Sequence, residues 1–225
     1  METQALKEKI EKFVKATFEE LDNVYYSPCN NARIIFPKYA EGKVRVSEQE
    51  LRCVFIHKLH QLCHELYYSV ETPSKNKYRF TDKDNPKIDT TGGESARIDL
   101  TIHENGDPNK RLCIVEFKAH GGTSECNYKK DLLKLYTEPE GGLRYFIQIF
   151  ESYDDGTRKS VGQKLQKSSQ YIIDKYQENK DSHIFDKVHC RFYSFKFRGI
   201  EEEEIKKKRN EELKEELLSY APNHS

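Results

Sequence analysis

The sequence predicts an α/β protein with a mixed central β-sheet flanked by helices on both faces. Three observations carry that prediction. Apolar residues recur at helical spacing in several stretches, short apolar runs lie between them, and an Asn105-Gly106 turn separates two of those runs. The order reads helix, strand or strands, hairpin, helix, strand, helix, strand. A hairpin pairs its strands antiparallel, whereas helical connections link parallel neighbours, so the sheet is mixed.

Each element has its own signal. Leu6, Ile10, Phe13, Val14, Phe18 and Leu21 make an amphipathic stripe over residues 3–22, and Ser27-Pro28 ends it. The segment 32–40 reads as a short strand, confined to an edge by Pro37. Ser47 and Glu50 form a capping box for a second helix running to about Val70, with Leu51, Val54, Phe55, Leu59, Leu62 and Leu66 as its stripe and Thr72-Pro73 as its stop. Residues 77–80 read as a strand and residues 81–94 as a polar loop. Strands follow over 97–103 and 111–119, then a short helix over 127–136 and a strand over 143–152. A helix over 157–178 and a strand over 188–197 complete the core. The three regions expected are an N-terminal helical extension (1–45), a core (46–199) and a charged helical tail (200–225).

Composition narrows the function classes. The 225 residues carry 38 basic and 38 acidic side chains, so no global basic field points to a non-specific nucleic-acid coat. The 14 Tyr and 12 Phe supply a core that the 36% apolar content alone makes lean. Six cysteines show no C-x-x-C pair. Cys53, Cys63 and Cys113 sit in apolar surroundings and read as reduced structural thiols in a cytoplasmic protein. The charged N-terminus does not resemble a signal peptide, and no apolar stretch reaches the ~20 residues a spanning helix requires, so no membrane partner is expected.

The chemistry lies in the hairpin. On alternating faces, Ile98, Leu100 and Ile102 form an apolar side, and Asp99 lies opposite them. In the next strand Glu116 and Lys118 share a face, and pairing of the strands brings Asp99 beside Glu116. Two adjacent carboxylates repel unless a cation stands between them. Mg²⁺, or Mn²⁺ in its place, fits: it takes one or two carboxylates with waters and substrate phosphate. Asp99 and Glu116 are the candidate ligands, the Phe117 carbonyl a third, and Lys118 a neighbouring positive charge for a metal-bound water or a phosphate. E-x-K spacing alone carries little, because it recurs at Glu41, Glu178, Glu204 and Glu212. Only Glu116-Phe117-Lys118 ends an apolar strand and follows an acid across a turn.

In these residues the chain resembles the PD-(D/E)xK nuclease superfamily, with its restriction-endonuclease-like fold. The segment RIDLTI is similar to the strand bearing the first acid, and CIVEFKA to the strand bearing E-x-K; the likeness covers about Ser47 to Phe197. Ile98 stands where the family name has proline. The resemblance implies Mg²⁺-dependent phosphodiester cleavage, with Asp99 and Glu116 as metal ligands and Lys118 as catalytic lysine. Many members add a Glu from the helix before the sheet, and Glu65 is the match. DNA is the expected substrate, in restriction, phage defence or repair. Duplex cleavage favours a homodimer, with the N-terminal helix as the place for its contacts. The rival from another class is a catalytically inactive nuclease-fold protein that serves as a protein- or nucleic-acid-interaction module.

Three further features stand out in the sequence. His57, His60 and His64 share a helical face that reads as solvated rather than metal-binding. Gln148 lies mid-strand and needs a partner, more simply within the core than at the site. The segment 157–180 is rich in Lys and Gln, and Arg158, Lys159, Lys164 and Lys167 are its candidate phosphate contacts.

Overall fold

The computed structural model describes residues 3–27, 31–80, 86–139, 142–152, 154–176 and 188–196. The tail over 200–225, Cys29 and Lys180 lie outside the described residues. The elements are α1 (Thr3–Tyr26), α2 (Glu48–Leu62), β1 (Leu66–Arg79), β2 (Lys87–Ile88), β3 (Glu94–Glu104), β4 (Arg111–Ala119), α3 (Glu125–Thr137), β5 (Leu143–Ser152), α4 (Asp155–Tyr176) and β6 (Val188–Lys196).

The strands form one six-stranded sheet in the order β2-β1-β3-β4-β5-β6. β1, β3 and β4 run antiparallel in turn; β4, β5 and β6 run parallel. The sheet is therefore mixed, as the alternation of hairpin and helical connections predicts. The β3–β4 connection begins with Asn105 at φ 53° and Gly106 at φ 71°, left-handed residues closed by the Asp107 N–H to the Glu104 carbonyl at 3.1 Å. β5 is buried along nearly its whole length, because helices cover both faces of a parallel strand.

Two apolar layers result. On one side Leu6, Ile10, Phe13, Val14, Phe18 and Leu21 of α1 and Leu51, Val54, Phe55 and Leu59 of α2 pack on Leu100, Ile102, Val115, Phe117 and Ile147. On the other, Tyr128, Leu132 and Leu135 of α3 and Leu165 and Ile172 of α4 pack on Ile114 and Phe146. The two parallel crossovers, through α3 and α4, put both helices on the same face. Among the described residues no helix is long and apolar enough to cross a membrane.

Several expectations are corrected. The second helix ends at Leu62, and residues 66–79 are strand β1. The run Leu66–Thr72 holds two tyrosines, Val70 and Thr72, which suit a pleated surface better than a helix. Pro73 is tolerated inside β1 because β2 pairs only with Tyr78 and Arg79, leaving an open edge at Pro73. Residues 34–37 form no strand; one isolated bridge joins Lys38 to Val44. Ser47 is the N-cap of α2 but makes no side-chain cap bond, and Glu50 pairs instead with Arg45 at 3.0 Å. Cys53 is exposed rather than packed as a small apolar group. The apolar stripe of α1 is consumed inside the chain.

The face assignment of β3 also changes. Leu100 and Ile102 pack with α1 and α2, but Ile98 packs in the α3–α4 layer. The alternation breaks at Asp99. The β1–β3 ladder pairs Val70 with Leu100 and Thr72 with Ile98 but omits Glu71 opposite Asp99, and Glu71 sits at φ 50°. A non-glycine residue in that region marks a local kink.

Candidate active site

Asp99 leaves the ladder where β3 meets the end of β4. The paired register stops at Leu100↔Val115, and one further step sets Asp99 opposite Glu116. In place of a backbone bond there, Asp99 Oδ2 accepts the Phe117 N–H at 2.7 Å. The Phe117 ring points the other way, into the α1–α2 layer, where it meets Phe55 edge-on at 5.4 Å. Its carbonyl accepts from Lys118 Nζ at 3.3 Å.

Helix α3 supplies two residues that spacing did not single out. Asp131 and Lys134 lie three apart on its buried side. Lys134 Nζ stands 2.7 Å from Glu116 Oε1 and 3.0 Å from Asp131 Oδ1, and it donates to the Arg97 carbonyl at 2.9 Å. Lys118 Nζ stands 2.8 Å from Asp131 Oδ2 and 3.5 Å from Glu48 Oε1. The sequence held a signal for Asp131: it occupies the i+3 place of the stripe Tyr128, Leu132, Leu135, where an apolar residue is expected.

Glu65 does not join this group. It lies in the turn between α2 and β1 and pairs with Lys9 at the surface. Leu66 pairs with Glu104, five residues along β3 from Asp99, a separation of about 16 Å at the usual strand rise. The early end of α2 removes Glu65 from the helix that was to carry it. Glu48, in the first turn of α2, is the helical acid that reaches the cluster; it pairs with Lys118.

The electrostatics are those of acids short of cations. Burial pushes Glu116 well above the usual carboxylate range; Lys134 pulls it back, and Asp131 and Asp99 add to the rise. Burial also raises Asp99 and Glu48. Asp131 is lowered: burial opposes its charge, but Lys134 and Lys118 prevail. Lys118 and Lys134 are both raised, because the surrounding acids overcome burial.

Two features fit a hard divalent ion. Glu116 is 1% exposed; among the described residues its Oε1 faces the Lys134 ammonium at 2.7 Å, and its Oε2 has no hydrogen-bond partner. Fully ionised, Glu48, Asp99, Glu116 and Asp131 outweigh Lys118 and Lys134 by two charges, the charge of one Mg²⁺. Among the described residues no three His, Cys, Asp or Glu side chains converge as a ready-made cage. Mg²⁺ does not need one, since it keeps several waters and takes one or two carboxylates.

No family model, curated protein or solved structure matches the chain. The site therefore stands on its own geometry.

The remaining features fall around it. Gln148, which pairs with Lys118 in register, is fully buried. It accepts from Tyr128 Oη at 2.9 Å and donates to the His120 carbonyl at 3.0 Å. It bonds within the core, as expected, and in doing so holds the segment after Lys118. Lys164 donates to the Thr123 carbonyl at 3.4 Å, and Gly121 faces Thr157 and Val161, so the first turns of α4 flank that same segment. His57 and His60 lie on α2, whereas His64 lies beyond its end, so the three do not share one helical face.

Proposed function

We propose that the chain is a metal-dependent nuclease of the PD-(D/E)xK type with a restriction-endonuclease-like core, hydrolysing phosphodiester bonds of DNA. The observation that carries this reading is Glu116: a fully buried carboxylate whose Oε2 has no hydrogen-bond partner among the described residues, one step past the Leu100↔Val115 pair toward Asp99 and two residues before Lys118. Such a group is costly unless a cation completes it.

In this reading Asp99, Glu116 and the Phe117 carbonyl hold Mg²⁺ or Mn²⁺. When bound, the ion polarises the phosphate and activates a water. Lys118, held by Asp131 and Glu48, places a fixed positive charge where negative charge develops on the attacked phosphate. Glu48 takes the part that the family likeness gave to Glu65. Arg158, Lys159, Lys164 and Lys167 of α4 contact the phosphates that flank the scissile one. Restriction, phage defence and repair are the settings such an activity serves.

One observation favours a second reading. Lys134 already neutralises part of the charge on Glu116, as it would in an inactive interaction module. A cleavage assay separates the two. Pure protein is incubated with plasmid, single-stranded DNA and RNA, with Mg²⁺, Mn²⁺ or chelator, beside Asp99→Ala and Lys118→Ala. Nuclease action requires cleavage with metal, loss with chelator, and a fall of about 10²–10³-fold in each variant. Cleavage indifferent to both substitutions would reject these residues, and no cleavage of any substrate would favour the interaction module.

A further inference from the structure

We propose that Lys134 is a built-in counter-ion, which holds Glu116 while the divalent ion is absent and yields it when the ion binds. The inference rests on the metal-site reading above and adds a competitor to it. The Lys134 ammonium has the surroundings of a bound cation: Glu116 Oε1 at 2.7 Å, Asp131 Oδ1 at 3.0 Å and the Arg97 carbonyl at 2.9 Å. It occupies the carboxylate that the ion requires. Mg²⁺ sits about 2.0–2.1 Å from its oxygens, and an ammonium held against the same buried carboxylate opposes it strongly.

The geometry provides for withdrawal. Asp131 and the Arg97 carbonyl keep hold of Lys134 when Glu116 is released, so the ammonium is never stranded. Lys134 also lines an open cavity of about 660 Å³ bordered by Tyr78, Phe80, Ser95 and Arg97, which gives its flexible stem somewhere to swing. Glu116 has no such alternative, because among the described residues Lys134 is its one ion-pair partner. The arrangement prevents three clustered acids, Asp99, Glu116 and Asp131, from repelling one another in the metal-free protein. Its consequence is weaker metal binding, reduced by the fraction of molecules in which Glu116 is free.

The full chain is titrated with Mn²⁺, followed by the EPR signal of free Mn²⁺, for wild type, Lys134→Met and Glu116→Gln. Thermal midpoints are recorded in chelator and in Mn²⁺. We expect Lys134→Met to bind Mn²⁺ at least tenfold more tightly than wild type and Glu116→Gln to lose binding. We also expect Lys134→Met to be less stable than wild type in chelator and to gain more from Mn²⁺. If Lys134→Met does not fold in chelator, refolding with Mn²⁺ supports the proposal, and failure to refold with Mn²⁺ overturns it. Equal or weaker Mn²⁺ binding by Lys134→Met overturns the counter-ion role while leaving the metal site standing. No Mn²⁺ binding by wild type or variant overturns the metal site and this proposal with it.

Discussion

Lys134 Nζ stands 2.7 Å from Glu116 Oε1, and Lys118 Nζ stands 2.8 Å from Asp131 Oδ2 on the same helix that carries Lys134. The pairing of Lys134 with Glu116 joins α3 to the end of β4. It means that the acids of the hairpin and the charges of α3 form one electrostatic unit. A change to any one member alters the others, so single substitutions there will not add.

Glu48 and Glu65 make a clean contrast. Glu48 touches Lys118, whereas Glu65 pairs with Lys9 on the surface. Glu48→Gln should lower the cleavage rate by at least tenfold. Glu65→Gln should leave it unchanged and alter stability by no more than about 1 kcal/mol, as for an exposed ion pair. Single-turnover rates and urea titrations of both variants check this.

Gln148 should matter to both stability and rate. Gln148→Leu leaves the Tyr128 hydroxyl and the His120 carbonyl without their buried partner. That should cost about 1–3 kcal/mol. It also frees the chain two residues beyond Lys118, so cleavage should slow while Mn²⁺ affinity stays as in wild type. Urea denaturation, metal titration and single-turnover kinetics together separate this from simple unfolding.

The hairpin was legible because period-two alternation and an Asn-Gly turn are local signals. The acids within it stood out for the same reason: charges in an apolar strand are conspicuous. The end of α2 was not legible, since Leu62 and Leu66 extend the helical stripe although Leu62 is exposed and Leu66 belongs to β1. Tertiary pairing of Leu66–Val70 with β3 decides it, and that pairing is not local. The face switch at Asp99 was hidden for a similar reason, because the kink depends on Glu71 in a neighbouring strand. Asp131 showed only as a polar residue at an apolar place of its helix, and Lys134 as an ordinary helical charge; the packing of α3 on the sheet makes them part of the site.

Away from the site, Glu20 and Lys58 form a buried pair at 2.9 Å that ties α1 to α2. Glu20 also accepts the Ala32 N–H at 2.9 Å, which fastens the chain after α1. Lys58→Met alone leaves Glu20 buried and uncompensated, a loss of about 3–5 kcal/mol; adding Glu20→Leu should recover much of it. Burial opposes the charge on Glu20, but Lys58 and the Ala32 N–H prevail and lower its pKa. Its contribution is therefore present above the unfolded carboxylate range and lost as pH falls through the lower folded value. A double-mutant cycle in urea, repeated at neutral and acidic pH, measures both effects.

His189 on β6 provides a second pH response of known sign. Burial, then Lys7 and Arg191, lower its pKa from 6.5 to about 4. The unfolded chain therefore takes up a proton that the folded chain refuses between those values, and stability falls as pH drops from about 6.5 to about 4. The ring lies 5.0 Å from the Tyr145 ring, so His189→Phe keeps an aromatic neighbour while removing the titration. Thermal midpoints across that pH range should decline less steeply in His189→Phe than in wild type.

The most direct test of the metal-centred account is a crystal of the full chain soaked in Mn²⁺, with an anomalous difference map. The account predicts one strong peak between the Asp99 and Glu116 carboxylates, at about 2.0–2.3 Å from their oxygens, with Lys134 withdrawn from Glu116. A map without a peak there, with Lys134 still seated on Glu116, would contradict it.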